Sequence, residues 1–170
     1  MKAGRGDNRE ATTRYAARIR TPFAGLGIRT ARGVVTGIEY LPNTGCATAP
    51  ADAVAERAVR EIERYLADPQ FRFTLPLAPG DTPFRRRVRD ALLRIPVGES
   101  RTYGELARQL HTAPRAIGGA CGANRIALVV PCHRVVGGRG SLGGFMNATD
   151  GDPIAIKRWL LAHEGYRFGA

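Results

Sequence analysis

Thr102-Tyr-Gly-Glu-Leu-Ala-Arg-Gln-Leu110-His-Thr-Ala-Pro-Arg115-Ala-Ile-Gly-Gly-Ala-Cys121 is the stretch whose reading decides the fold. Thr102 is a natural helix cap, and Tyr103, Leu106, Ala107 and Leu110 then share one inward face. A brief turn at His111-Thr112 leads to a second short helix over 113–121. Two short helices joined by a tight turn make a helix-turn-helix candidate. The second helix is the weaker one on pattern alone. It contains Gly118-Gly119, and glycine has the most backbone freedom to lose on becoming helical.

Working outward, Thr82-Pro83 is a cap followed by proline at the first helical position, with Phe84, Val88, Ala91, Leu92 and Ile95 on one face. Residues 126–130 form a compact apolar strand ending at Pro131, and glycine-rich 137–151 is a long loop. Asp152-Pro153 opens a last helix through Trp159, Leu160 and Leu161, stopped by Gly165. Towards the N-terminus, runs at 15–20, 24–29 and 34–40 separated by turn residues predict a small antiparallel meander. A helical stripe follows over 52–66 at Val54, Ala58, Val59, Ile62 and Leu66. The proline-bearing segment 67–81 reads as a linker, and 1–13 as a flexible polar tail. The expected class is therefore α+β. A sheet-plus-helix domain occupies 14–75, and a mostly helical domain with the helix pair occupies 76–170.

Composition narrows the function. The chain has 170 residues, of which 44% are hydrophobic, enough for a core. Its net charge of +11 favours polyanionic partners, nucleic acid first. Only Lys2 and Lys157 are lysines, so 24 of the 26 positive residues are arginine, a bias that genome composition can also produce. Cys46, Cys121 and Cys132 are odd in number and lack CxxC spacing, which argues against a disulfide framework or a zinc site. No window approaches the ~18 apolar residues of a membrane span, and residues 1–14 lack the apolar core of a signal peptide. A soluble, cytoplasmic protein with reduced thiols is expected.

The chemistry concentrates in Asn124-Arg-Ile-Ala-Leu-Val-Val-Pro-Cys132-His-Arg-Val-Val136. A thiol becomes a strong nucleophile when a nearby base or positive charge raises its thiolate fraction. Adjacent residues on extended chain point opposite ways, so His133 would reach Cys132 through a water or a turn. A buried cysteine beside an incidental histidine is the other reading of this dipeptide.

Pro131-Cys-His-Arg-Val-Val136 resembles the active-site signature of the O6-alkylguanine-DNA alkyltransferases, the methylated-DNA–protein-cysteine methyltransferases. Thr82-Pro-Phe84, Ile95-Pro-Val-Gly-Glu99, Thr102-Tyr-Gly-Glu-Leu-Ala107 and Arg115-Ala-Ile-Gly-Gly-Ala120 follow in the family's order and at similar spacing. Asn124, 140–145 and Trp159-Leu-Leu-Ala-His-Glu-Gly165 also match, so the resemblance covers 82–165 closely. For 14–75 it implies only a small ribonuclease H-like domain.

The resemblance implies roles residue by residue. Cys132 would take the alkyl group from guanine O6, His133 would be the water-bridged base, and Glu164 would orient and charge-stabilise it. A thioether offers water no leaving group, so the protein would be spent after one turnover. Arg115 would replace the nucleotide extruded from duplex DNA, with Ala116, Gly118, Gly119 and Arg134 also at the DNA, in the minor groove. Tyr103 would help rotate the nucleotide, and Asn124 would tie the helix pair to the active-site strand. Gly143, Gly144, Phe145, Met146, Val136, Cys121 and Lys157 would surround the alkylguanine pocket. The implied partner is double-stranded DNA carrying O6-alkylguanine, bound by a monomer with no metal and no small-molecule cofactor.

Several positions depart from the family pattern. Arg89 stands where many relatives have tryptophan, and Met146 where a pocket serine is frequent. Segment 147–152 is longer than in short-loop relatives, and Cys121 precedes Gly122-Ala123, where bulkier residues occur in some. Three other functions compete. A non-catalytic alkyltransferase-like lesion binder would normally lack the nucleophile, a transcription regulator leaves Cys132 and His133 unexplained, and a thiol hydrolase would turn over.

Overall fold

The computed structural model describes residues 15–168, so the tail expected over 1–13 lies outside the described residues. Strands β1 (Ala17–Arg20), β2 (Gly25–Ala31) and β3 (Val34–Leu41) form the expected antiparallel meander in the order β1-β2-β3. Arg32 and Gly33 both take positive φ, the geometry of the tight two-residue turn that pairs Ala31 with Val34. On β2, Gly27 is required by packing: a Cβ there would meet the Tyr15 ring at 2.5 Å.

Helix α1 (Ala53–Ala67) covers the sheet, its first turn capped by the Asp52 carboxylate on Ala55 N. Its buried face is Ala55, Ala58, Ile62 and Tyr65, rotated from the expected stripe, so that Val54, Val59 and Leu66 are only partly buried. The segment expected as a linker is tied to the sheet instead. Val35 donates to Pro76 O and accepts from Ala78 N, and Leu75 is buried. An edge strand leaves unpaired backbone groups, and this segment satisfies some of them.

Helices α2 (Pro83–Leu93), α3 (Tyr103–Gln109) and α4 (Pro114–Gly122) follow, with Thr82 and Thr102 as N-caps. At Thr102 a reciprocal pair with Glu105 satisfies both donors of the turn. His111, at φ 52°, reverses the chain between α3 and α4. Short strands β4 (Arg101–Thr102) and β5 (Val135–Val136) pair in parallel and bring the start of α3 beside the residues after Cys132.

Two expectations are corrected here. Residues 126–130 are buried, but they coil instead of forming a strand. Leu128 takes φ 69°, and the bonds Val129 N to Ala127 O and Val130 N to Ile126 O close tight turns. Only Ile126 bridges to Ile38 of β3. The last helix, α5 (Gly151–His163), starts one residue before Asp152-Pro153, with Asp150 at the cap. Pro153 fits inside the first turn, where its missing N–H has no helical partner to lose. At the other end Gly165, at φ 81°, stops α5 as expected. Tyr166 N bonds Leu161 O and Gly165 N bonds Ala162 O, which leaves Glu164 at the cap.

Buried residues of the sheet, α1 and the helical half form one continuous cluster, including Ile38, Tyr65, Leu92, Ile117, Val130 and Leu160. Among the described residues no helix is long and apolar enough to cross a membrane.

Candidate active site

Pro131 ends the coiled segment, and Cys132–Arg134 form one turn of 3-10 helix that leads into β5. The tight turn separates the directions of three consecutive side chains, as the sequence required of Cys132 and His133. Cys132 lines a cleft of about 230 Å3 together with Tyr103, Gly118, Cys121, Phe145 and Met146 among others. A second cleft, of about 320 Å3, reaches the same cysteine past Ile38, Tyr40 and Ala127.

Asn124 holds the thiol. Its Nδ2 donates to Cys132 Sγ at 3.2 Å and to Val130 O at 2.9 Å, while its Oδ1 accepts from Ile126 N at 3.1 Å. Two of these bonds clamp the coiled segment that precedes Cys132, and the third holds its sulfur. Burial raises the Cys132 pKa, and the Asn124 amide and the Lys157 charge oppose that rise in part. The resting thiol is therefore protonated and needs a base at the moment of reaction.

His133 is fully buried behind it. Its Nε2 is 2.8 Å from Glu164 Oε1, and its Nδ1 has no hydrogen-bond partner among the described residues. Burial lowers the imidazole pKa, against the pull of Glu164. Glu164 itself would be raised by burial, but hydrogen bonds and charge from His133 and Arg134 hold it at about 2. An ionised Glu164 fixes the proton of neutral His133 on Nε2 and leaves Nδ1 as a free acceptor.

Arg134, expected at the DNA, is turned inward. Its Nε and Nη2 donate to the two Glu164 oxygens at 2.8 and 2.9 Å, and its Nη1 donates to Ile95 O at 2.7 Å. A carboxylate whose side chain is 0% exposed needs a countercharge, and the fork geometry of arginine supplies it. Tyr65 of α1, which sequence reasoning missed, completes the set with a hydroxyl 2.9 Å from Glu164 Oε1.

Lys157 is fully buried, which excludes a solvated helix lysine. Its ammonium donates to Val135 O, Leu142 O and Gly144 O at 2.5, 2.6 and 3.0 Å, and lies 5.8 Å from the ring centres of both Tyr103 and Phe145. Burial pulls its pKa down to about 8. Lys157 thus cross-links the loop that carries the pocket residues. Tyr103 Oη donates to Gly144 O at 3.0 Å and closes one wall. Burial pushes the Cys121 thiol up to about 12.

Of the expected pocket residues, Gly144, Phe145, Met146 and Cys121 line the first cleft, while Val136 lies buried in β5. Met146 and Asn147, both at positive φ, form a two-residue reversal that pairs Phe145 with Ala148. Asn147 then rests on Gly122, where a Cβ would come 2.2 Å from its Oδ1. Met146, Asn147 and Ala148 all line the first cleft. On the outer face of α4, Arg115 and Gly119 are exposed and Ala116 and Gly118 half-buried. A Cβ at Gly118 or Gly119 would meet nothing within 4 Å, so internal packing does not require either glycine. Arg89 bonds Ala78 O, away from the cysteine. Among the described residues no group of three or more His, Cys, Asp or Glu side chains gathers as a metal site.

Residues 83–166 match the family model described as 6-O-methylguanine DNA methyltransferase, DNA binding domain. A methylated-DNA–protein-cysteine methyltransferase of Salmonella typhimurium is 50% identical over 95 residues, 55% of this chain and 53% of that protein, so the match spans about half the relative's length. The protein of the same name from Methanosarcina barkeri is 40% identical over 122 residues, 68% of this chain and 74% of its own. In three dimensions the chain is similar to Mycobacterium tuberculosis OGT in complex with DNA. The TM-score is 0.72 at 37% identity, covering 86% of this chain and 90% of the other.

Proposed function

Because this chain belongs to the methylated-DNA–protein-cysteine methyltransferase family, we propose that it repairs duplex DNA by moving the alkyl group of O6-alkylguanine onto Cys132. The observation that carries this reading is Cys132 lining a cleft with Asn124 Nδ2 on its sulfur, beside the buried His133–Glu164 pair.

The step is an in-line displacement. Cys132 Sγ forms a bond to the alkyl carbon as the bond from that carbon to O6 breaks, and the electron pair leaves with the guanine. The thiol proton passes towards His133 Nδ1 through a bridging water and ends on the departing guanine. Glu164 stabilises the imidazolium formed on the way. Lys157, Tyr103 and the backbone of 143–145 hold the pocket in shape around the base. The thioether product gives water no leaving group, so each molecule acts once.

We read α3 and α4 as a helix-turn-helix that enters the minor groove. Arg115 there takes the place of the flipped nucleotide, and Gly118 and Gly119 let the helix backbone approach the duplex. The open space over both glycines and the exposure of Arg115 support this reading. Residues 14–75, three antiparallel strands and a helix, are read as the ribonuclease H-like domain, and 76–170 as the DNA-binding and transfer domain. The protein is taken to act as a monomer in the cytoplasm, on DNA carrying the lesion and without a cofactor.

The test is intact-protein mass spectrometry after incubation with duplex DNA containing O6-methylguanine, beside undamaged duplex and Cys132→Ser. One methyl-sized gain on Cys132, absent from both controls, is expected. An unchanged mass despite tight binding to the lesion would replace this reading with that of a lesion-binding protein.

A further inference from the structure

We propose that Tyr65 is a positioning residue for this reaction, its hydroxyl reaching from α1 to aim and tune the Glu164 carboxylate that holds His133. The inference rests on the alkyl-transfer reading above, and concerns how that site's base is set.

Tyr65 is 1% exposed and stands 99 positions before Glu164 in the chain. Its hydroxyl donates at 2.9 Å to Oε1, the oxygen that also accepts His133 Nε2 at 2.8 Å and Arg134 Nη2 at 2.9 Å. The ring is held in place. Phe73 lies 5.5 Å away and the His163 ring 5.1 Å, edge-on, while His163 Nε2 is 2.9 Å from the Tyr65 carbonyl. The phenol therefore cannot swing clear of the carboxylate without disturbing both α1 and α5.

Three donors on one oxygen share its negative charge, so each feels less of it. His133 is then held firmly in orientation but stabilised less as an imidazolium, and Glu164 has little tendency to take its proton. Both effects keep Nδ1 open as the acceptor for the Cys132 proton. The other groups facing this pair are Arg134, Lys157 and Tyr40, and His163 engages the Tyr65 main chain instead of the carboxylate. Tyr65 is thus the neutral donor on the oxygen that faces His133. Its replacement by phenylalanine deletes one hydrogen bond with no change of net charge and little change of shape.

The experiment measures single-turnover methyl transfer from an O6-methylguanine duplex over pH 5 to 9 for the unsubstituted protein and Tyr65→Phe. Loss of the donor strengthens the pull of Glu164 on the imidazolium. The midpoint of the acid limb should move to higher pH by roughly half a unit, which is about threefold slower transfer on that limb. Site-specific 3-fluorotyrosine at 65, a stronger donor, should move it the other way, and it keeps the test available if Tyr65→Phe does not fold. Acid limbs that coincide in all three proteins would overturn the proposal, even if the substitution lowers the melting temperature. Absence of transfer by the unsubstituted protein would overturn the alkyl-transfer reading itself.

Discussion

Asn124 donates to the Cys132 sulfur and to the Val130 carbonyl from the same amide nitrogen, so one side chain both shapes the approach to the nucleophile and touches it. Cys132 opens a 3-10 turn that follows coiled chain held by specific hydrogen bonds, and β3 supplies one wall of its second cleft.

Asn124→Ala removes both donations and leaves Ile126 N without its acceptor. Urea unfolding should show a loss of about 1–3 kcal/mol. Transfer should slow by about 10- to 100-fold, because a hydrogen bond to a developing thiolate is worth more than a neutral one. Unchanged single-turnover rates would show that the amide does not act on the sulfur.

Glu164 has a pKa of about 2 in the folded protein against an ordinary 4.5. A carboxylate with a depressed folded pKa contributes stability that is fully present above 4.5 and disappears as pH falls through 2. Roughly 3 kcal/mol of unfolding free energy should be lost across that window. In Glu164→Gln that part of the pH dependence should vanish. Urea titrations at a series of pH values check both slopes.

Gly119→Ala separates stability from DNA binding. The added methyl meets nothing within 4 Å, and alanine in a helix interior is favoured by roughly 0.5–1 kcal/mol, so the melting temperature should rise. If α4 enters the groove as proposed, affinity for duplex DNA should fall, because the methyl would stand on the face turned to the DNA. Fluorescence anisotropy at fixed salt measures the second effect, and unchanged affinity would remove α4 from the interface.

Thiol labelling at pH 8 should run in a set order. Cys46 is exposed, whereas Cys121 lies near pKa 12 and Cys132 is buried with a raised pKa. Cys46 should react with iodoacetamide on the order of a hundredfold faster than Cys121. Peptide mapping of a time course gives the order, and early modification of Cys132 would contradict a protonated resting thiol.

Much of this was legible in the chain. The caps at Thr82 and Thr102, the meander turns and the stop at Gly165 are local signals, and each was found where short-range geometry demands it. Cys132, His133, Asn124 and Glu164 were pointed to by the family resemblance, and the fold brings them close as two hydrogen-bonded pairs, Asn124 with Cys132 and His133 with Glu164. Burial alone misled over 126–130. An apolar run reads as a strand, but Leu128 at positive φ and the Asn124 clamp coil it. The resemblance implied a DNA contact for Arg134, and nothing in its neighbours announced the buried carboxylate it serves.

The sequence by itself determined most of the helices and the β1–β3 meander, because capping and periodicity act over a few residues, and its resemblance to a known family singled out Cys132 as the expected nucleophile. Only the tertiary structure decided which way Arg134 points, that 76–78 bond to the edge of the sheet at Val35, and that Tyr65 meets Glu164 from 99 positions away. Those outcomes depend on packing between elements far apart in the chain. Burial there withdraws charge and hydrogen-bonding groups from water, so their partners must come from whatever the fold has brought alongside.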